Sequence, residues 1–164
     1  MTNFLSFTGR VMGIENFPIM TNDPNVGCYK LFTLTDMDGS TVNFVVGPAT
    51  YFVRHEKVRV GDIVTGYYDA NAPAPLIYPP QYPAIVMAKV HSDYLVTVSF
   101  FNSQLLSSDG TLQLNPSRQT EIVLENGQDF NGNIGNRDLI VIYSTSTRSI
   151  PAQTTPSTII VICY

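Results

Sequence analysis

Tryptophan is absent from this chain, and histidine and cysteine occur only twice each in its 164 residues. Each shortage removes a class of function. His55, in RHEKVRV, and His91, in KVHSDY, stand among charged or turn-forming neighbours. They read as solvated side chains, whereas acid–base or nucleophilic catalysis needs titratable groups that converge. Cys28 and Cys163 are too few for a disulfide scaffold and have no partners at zinc-like spacing. No GxSxG, GxxxxGKS/T, HExxH or CxxC motif occurs. Neither catalytic residues, nor a metal, nor a cofactor is expected.

Charge is also scarce. Charged residues make up 13% of the chain, with 9 Lys and Arg against 13 Asp and Glu for a net charge of -4. With no excess of cations to displace counterions from phosphates, nucleic acid is not an expected partner. No run approaches the roughly 20 apolar residues that span a bilayer, so no membrane insertion is expected. The start, MTNFLSFTGRVMG, lacks a basic segment followed by an apolar one. The expected location is cytoplasmic, or a cell or spore surface reached by a non-standard route.

What is present is 44% hydrophobic residues, 11 prolines and a second copy of the most proline-rich stretch. DIVTGYYDANAPAPLIYPPQYPAIVMA (62–88) lies over DLIVIYSTSTRSIPAQTTPSTIIVIC (138–163) at one offset, which aligns Asp62 with Asp138, Tyr67 with Tyr143, Pro75 with Pro151 and Pro80 with Pro156. Upstream, DGSTVNFVVGPATYFV (38–53) resembles DGTLQLNPSRQTEIVL (109–124) at a smaller offset. Two tandem units are expected, 1–92 with a proline-rich connection at 71–83, and 93–164 as a degenerate copy. Proline fixes φ and removes an N–H donor. The connection should therefore be an extended ramp that carries the chain to the next strand without joining a ladder.

Short β-branched and aromatic runs bounded by turn residues predict strands throughout, and helical periodicity is nearly absent. Val42, Phe44 and Val46 alternate with polar neighbours, predicting one buried face, whereas LIVIY (139–143) and IIVIC (159–163) are apolar on both faces. TDMDGST and SSDGT place Asp-Gly between strand-like runs and read as hairpin turns. A calcium loop on Asp36, Asp38 and Ser40 fails, because the required glutamate position holds Gly47. The glycine-interrupted first strand (Gly9, Gly13), the hairpin around DMDG, VRVGDIVTGYY and the proline-rich approach to AIVMAKV together resemble the five-stranded OB-fold. The fold class expected is all-β, as two tandem OB-like small barrels, with one β-sandwich as the alternative. In the second unit the first two strands would be Leu95–Phe101 and Leu105–Ser107.

Three functional expectations follow. The first is a non-enzymatic structural protein that assembles with itself, as a filament, surface layer or coat. Strand edges would pair through Ile159, Ile160, Val161, Ile162 and Cys163, with a possible disulfide between Cys28 and Cys163. The second is an OB-like module for a carbohydrate, peptide or small ligand, using Tyr67, Tyr68, Tyr78 and Tyr82 as a stacking platform. The third is a subunit of a larger particle such as a phage virion.

Overall fold

The computed structural model describes residues 1–18 and 21–163. Apart from a single turn at Val53–His55, its regular structure is all β. The chain divides into two compact units, one of Leu5–Val90 and one of Met1–Phe4 with His91–Tyr164.

In the first unit, β1 (Phe4–Asn16), β2 (Lys30–Thr35) and β3 (Thr41–Val46) form an antiparallel meander. β1 carries an irregularity between Val11 and Gly13, the extra residue that bends a long strand. Gly9 is needed for close approach, since a Cβ there would stand 2.8 Å from the Thr35 carbonyl oxygen. The β2–β3 turn is built by Asp36, whose carboxylate accepts the N–H groups of Asp38 and Ser40, and by Gly39 at φ +81°. Then come β4 (Tyr51–Phe52), β5 (Ile63–Asp69), β6 (Gln81–Pro83) and β7 (Val86–Lys89). The sheet order is β4-β7-β5-β1-β2-β3-β6. β6 runs parallel to β3, while β7 is antiparallel to β5 and parallel to β4. Only Ala84 and Ile85 separate β6 from β7. Ala84 N–H donates to Val45 and Ile85 N–H donates to Tyr67, so one stretch of chain passes from pairing with β3 to pairing with β5.

The alternation in β3 holds: Val42, Phe44 and Val46 are buried and join Val11, Phe32, Leu34, Val64 and Met87 in the core. The proline-rich connection enters the ladder further than expected. Pro80 accepts a hydrogen bond from Asn43 N–H, and Pro83 lies opposite Val45 within β6. Proline lacks the donor but keeps its carbonyl, and the carbonyl is what β3 uses.

The second unit holds β8 (Leu95–Phe101), β9 (Leu112–Leu114), β10 (Glu121–Leu124), β11 (Arg137–Tyr143), β12 (Ala152–Thr154) and β13 (Thr158–Ile162). Its larger sheet has the order β10-β13-β11-β8, and β9 pairs with β12 in parallel. The segment Leu105–Ser107, expected as a strand, makes only isolated bridges, Phe101 with Ser107 and Leu106 with Gln113. Leu139, Val141, Ile159 and Val161 pack with Phe101, Leu112 and Leu114.

The two units share a set of pairings. Asn43 opposes Gln81 as Gln113 opposes Gln153; Tyr51 opposes Val86 as Glu121 opposes Thr158; Tyr67 opposes Val86 as Ile142 opposes Thr158. This correspondence corrects the sequence alignment of the later strands. Ile142, not Tyr143, takes the place of Tyr67; Tyr143 matches Tyr68, and Asp62 matches Arg137. A slip of one residue in a strand exchanges its faces. The ladder register is the one that sets Val64 and Leu139, Met87 and Ile159, and Phe44 and Leu114 all facing a core.

Candidate functional site: an aromatic groove beside the proline-rich connection

The strand pairings divide the four tyrosines singled out in the sequence. Tyr67 and Tyr68 are neighbours on β5 and therefore point to opposite faces. Tyr67 is 8% exposed and unavailable as a platform. Tyr68 is half-buried and meets Tyr82 from β6, their rings 4.0 Å apart and 9° from parallel. Both tilt against Phe44, at 5.9 and 6.4 Å. Phe44 has room because residue 66 is glycine: a Cβ at Gly66 would stand 2.5 to 2.9 Å from the Phe44 ring. Burial raises the Tyr68 hydroxyl above its usual pKa, and the neighbouring Tyr82 hydroxyl adds to the rise.

Tyr82 also lines an open groove of about 520 Å³ with Pro75, Leu76, Ile77, Tyr78 and Pro80. Gln81 lines it too, and no charged residue is among the described lining residues. Leu76 is fully exposed, and Tyr78 is 81% exposed. The connection is anchored at each end. Asp69 accepts the N–H groups of Asn71 and Ala72, through its carboxylate and its carbonyl respectively, and Pro80 accepts from β3. An uncharged wall of proline, aliphatic and tyrosine side chains between two fixed ends can stack and cover a neutral ligand.

A smaller groove of about 380 Å³ occupies the matching place in the second unit, beside β12, but is lined by Asn115, Thr145, Ser146, Thr147, Gln153, Thr154 and Thr155. There Thr154 stands in the place of Tyr82. Its polar groups bond largely to one another: Asn115 Nδ2 donates to Gln153 Oε1, and Thr154 Oγ1 donates to the Thr145 carbonyl.

The terminal strand needs the largest correction. β13 pairs with β10 on one side and β11 on the other. Ile159, Ile160, Val161 and Ile162 are each at most 6% exposed. An assembly route through this strand has no free edge to offer. The two-sided apolar pattern is satisfied inside the chain's own fold. Cys28 and Cys163 are free and exposed, so the Cys28–Cys163 bridge is not what the fold contains.

The acids are occupied locally. Asp62 accepts from Arg59 N–H and faces Lys89 Nζ at 3.5 Å. These contacts, the Arg59 bond foremost, hold its carboxyl below the usual range. Asp138 is not its counterpart: it lies within β11, 4% exposed, and accepts from Thr2 N–H. Among the described residues, no group of three or more His, Cys, Asp or Glu is placed to hold a metal ion, and no helix is long and apolar enough to cross a membrane. His91 stacks on Tyr94, and His55 meets Tyr51 edge-on. No known family model matches the chain, and no curated protein is significantly similar to it.

Proposed function

We propose that the chain is a non-enzymatic binding protein built from two duplicated OB-like units, the first of which takes an uncharged ligand in the groove along residues 74–82. The OB-like reading is supported by a three-strand meander followed by a fifth crossing that runs parallel to the third strand and antiparallel to the fourth. The second unit repeats the last two of these relations through β9, β11, β12 and β13. The observation that carries the functional reading is the groove itself: Tyr78 and Tyr82 with prolines and aliphatic side chains, open to solvent and without a charge. Removing one stacking aromatic from such a contact costs about 1–3 kcal/mol of binding, or roughly 5- to 150-fold in affinity.

Since tryptophan is absent, emission comes from the nine tyrosines, of which Tyr78 and Tyr82 line the groove. Titration with neutral oligosaccharides and with neutral proline-containing peptides should change that emission for one class. Tyr78→Ala, at an exposed position that leaves the core intact, should weaken the binding at least several-fold. No response from either class, or full affinity in the Tyr78→Ala protein, would remove the groove from consideration.

Self-assembly keeps one supporting observation of its own. Leu76, Tyr78 and Ile150 stand 103%, 81% and 94% exposed at loop tips, and exposed apolar groups favour contact with another protein surface. Light scattering distinguishes the readings: particles dispersed by Leu76→Ser with Ile150→Ser support assembly through these tips, and a monomer at all concentrations excludes it.

A further inference from the structure

Stacking on a ligand leaves one feature of the site unused, the contact between Tyr68 and Tyr82 themselves. Their rings are 4.0 Å apart and 9° from parallel, and the Tyr82 hydroxyl lies near enough to that of Tyr68 to add to the rise in its pKa. Two nearly parallel phenol rings with centroids in contact and adjoining oxygens also bring the carbons ortho to those oxygens close together. Ortho carbons share the unpaired spin of a tyrosyl radical, so they are the atoms at which two such radicals join.

We propose that Tyr68 and Tyr82 form a site of oxidative cross-linking, converted by a peroxide-driven one-electron oxidant into a dityrosine within the chain. Each phenol loses one electron and one proton. The two radicals combine through their ortho carbons into one carbon–carbon bond, and the hydrogens on those carbons pass to the oxygens as the rings recover aromaticity. For each link, one hydrogen peroxide is reduced to two waters, which accounts for the two hydrogens lost.

The surroundings suit the reaction. Tyr82 lines the open groove, where a small oxidant reaches it. No tryptophan competes for the oxidising equivalent. The bond joins β5 to β6 and closes the proline-rich connection into a covalent loop. A chain cleaved between residues 70 and 80 would then remain in one piece.

The test treats the full chain, at low concentration and with both thiols alkylated, with hydrogen peroxide and a haem peroxidase. The expected product is a monomer lighter by two hydrogens, with the blue emission of dityrosine and a linked pair of peptides containing Tyr68 and Tyr82. Tyr82→Phe and Tyr68→Phe should each abolish that peptide pair, and Tyr78→Phe should leave it. Unfolding in urea before oxidation should sharply lower its yield. Links found only between chains, a pair that survives Tyr82→Phe, or a yield indifferent to urea would each overturn the proposal.

Discussion

Gly66→Ala tests the support beneath the tyrosine pair. The added methyl would lie 2.5, 2.6 and 2.9 Å from three carbons of the Phe44 ring, whereas carbon atoms in contact prefer about 3.5–4.0 Å. The ring must therefore retreat by roughly 1 Å. Phe44 is 0% exposed and packed among Phe32, Tyr68 and Tyr82, so the retreat pushes on the core and on the stack together. Overpacking of this kind costs about 1–3 kcal/mol, partly offset by the 0.4–1 kcal/mol or so that alanine recovers by restricting the unfolded chain. From mid-range values the net loss expected is ~1.3 kcal/mol. Urea titration followed by tyrosine circular dichroism reads both effects: a lower midpoint at unchanged slope, and an altered native signal from Tyr68 and Tyr82. Phe44→Leu makes room, so Gly66→Ala in that background should cost less, with a coupling of about 1 kcal/mol or more. A neutral Gly66→Ala, or the same cost in both backgrounds, would refute the claim that residue 66 is glycine to accommodate Phe44.

Deleting residues 158–164 removes a strand paired on both sides and should unfold the second unit, with loss of protection in β10 and β11 by hydrogen exchange; a soluble protein with those strands intact would contradict the sheet order. Asp109 is opposed by burial, yet its carboxylate accepts from the Ser107 and Thr111 hydroxyls and from Thr111 N–H, and the balance lies below the usual 3.8. Its stabilisation should be present above pH 3.8 and lost as pH falls through the lower folded value. Acid titrations of Asp109→Asn should lack that component, and an unchanged acid midpoint would count against it. Tyr68 has the opposite sign: burial raises its hydroxyl above the usual 10.0, so stability should fall as pH rises from 10 toward the folded value, and Tyr68→Phe should flatten that alkaline loss.

The local devices were legible because their causes are local. Alternation in β3 follows from the two-residue period of a strand, and Gly39 turns because it alone tolerates φ +81° without strain. The paired carboxylate contacts of Asp36 need only the next four residues. The upstream likeness of 38–53 to 109–124 runs at an offset of 71, one residue from the ladders, which match Asn43 to Gln113 and Tyr51 to Glu121.

The failures lay where partners are distant in sequence. Aligning Asp62 with Asp138 and Tyr67 with Tyr143 followed residue identity, but strand register is set by which side chains meet the core. Val64 and Leu139 meet it, and the identities lie one residue out of phase. Composition marked four tyrosines as one cluster; only the crossing of β6 past β3 and β5 decided that Tyr68 and Tyr82 stack while Tyr67 is buried. An apolar terminal strand reads the same whether it seeks another molecule or its own, and the parallel pairing with β10 settled that for β13. From sequence alone came the all-β class, the scarcity of charge and the turns, because composition and periodicity depend on neighbours along the chain. The tertiary structure decided register, burial and the aromatic groove, because each depends on residues that come together only when distant strands pair.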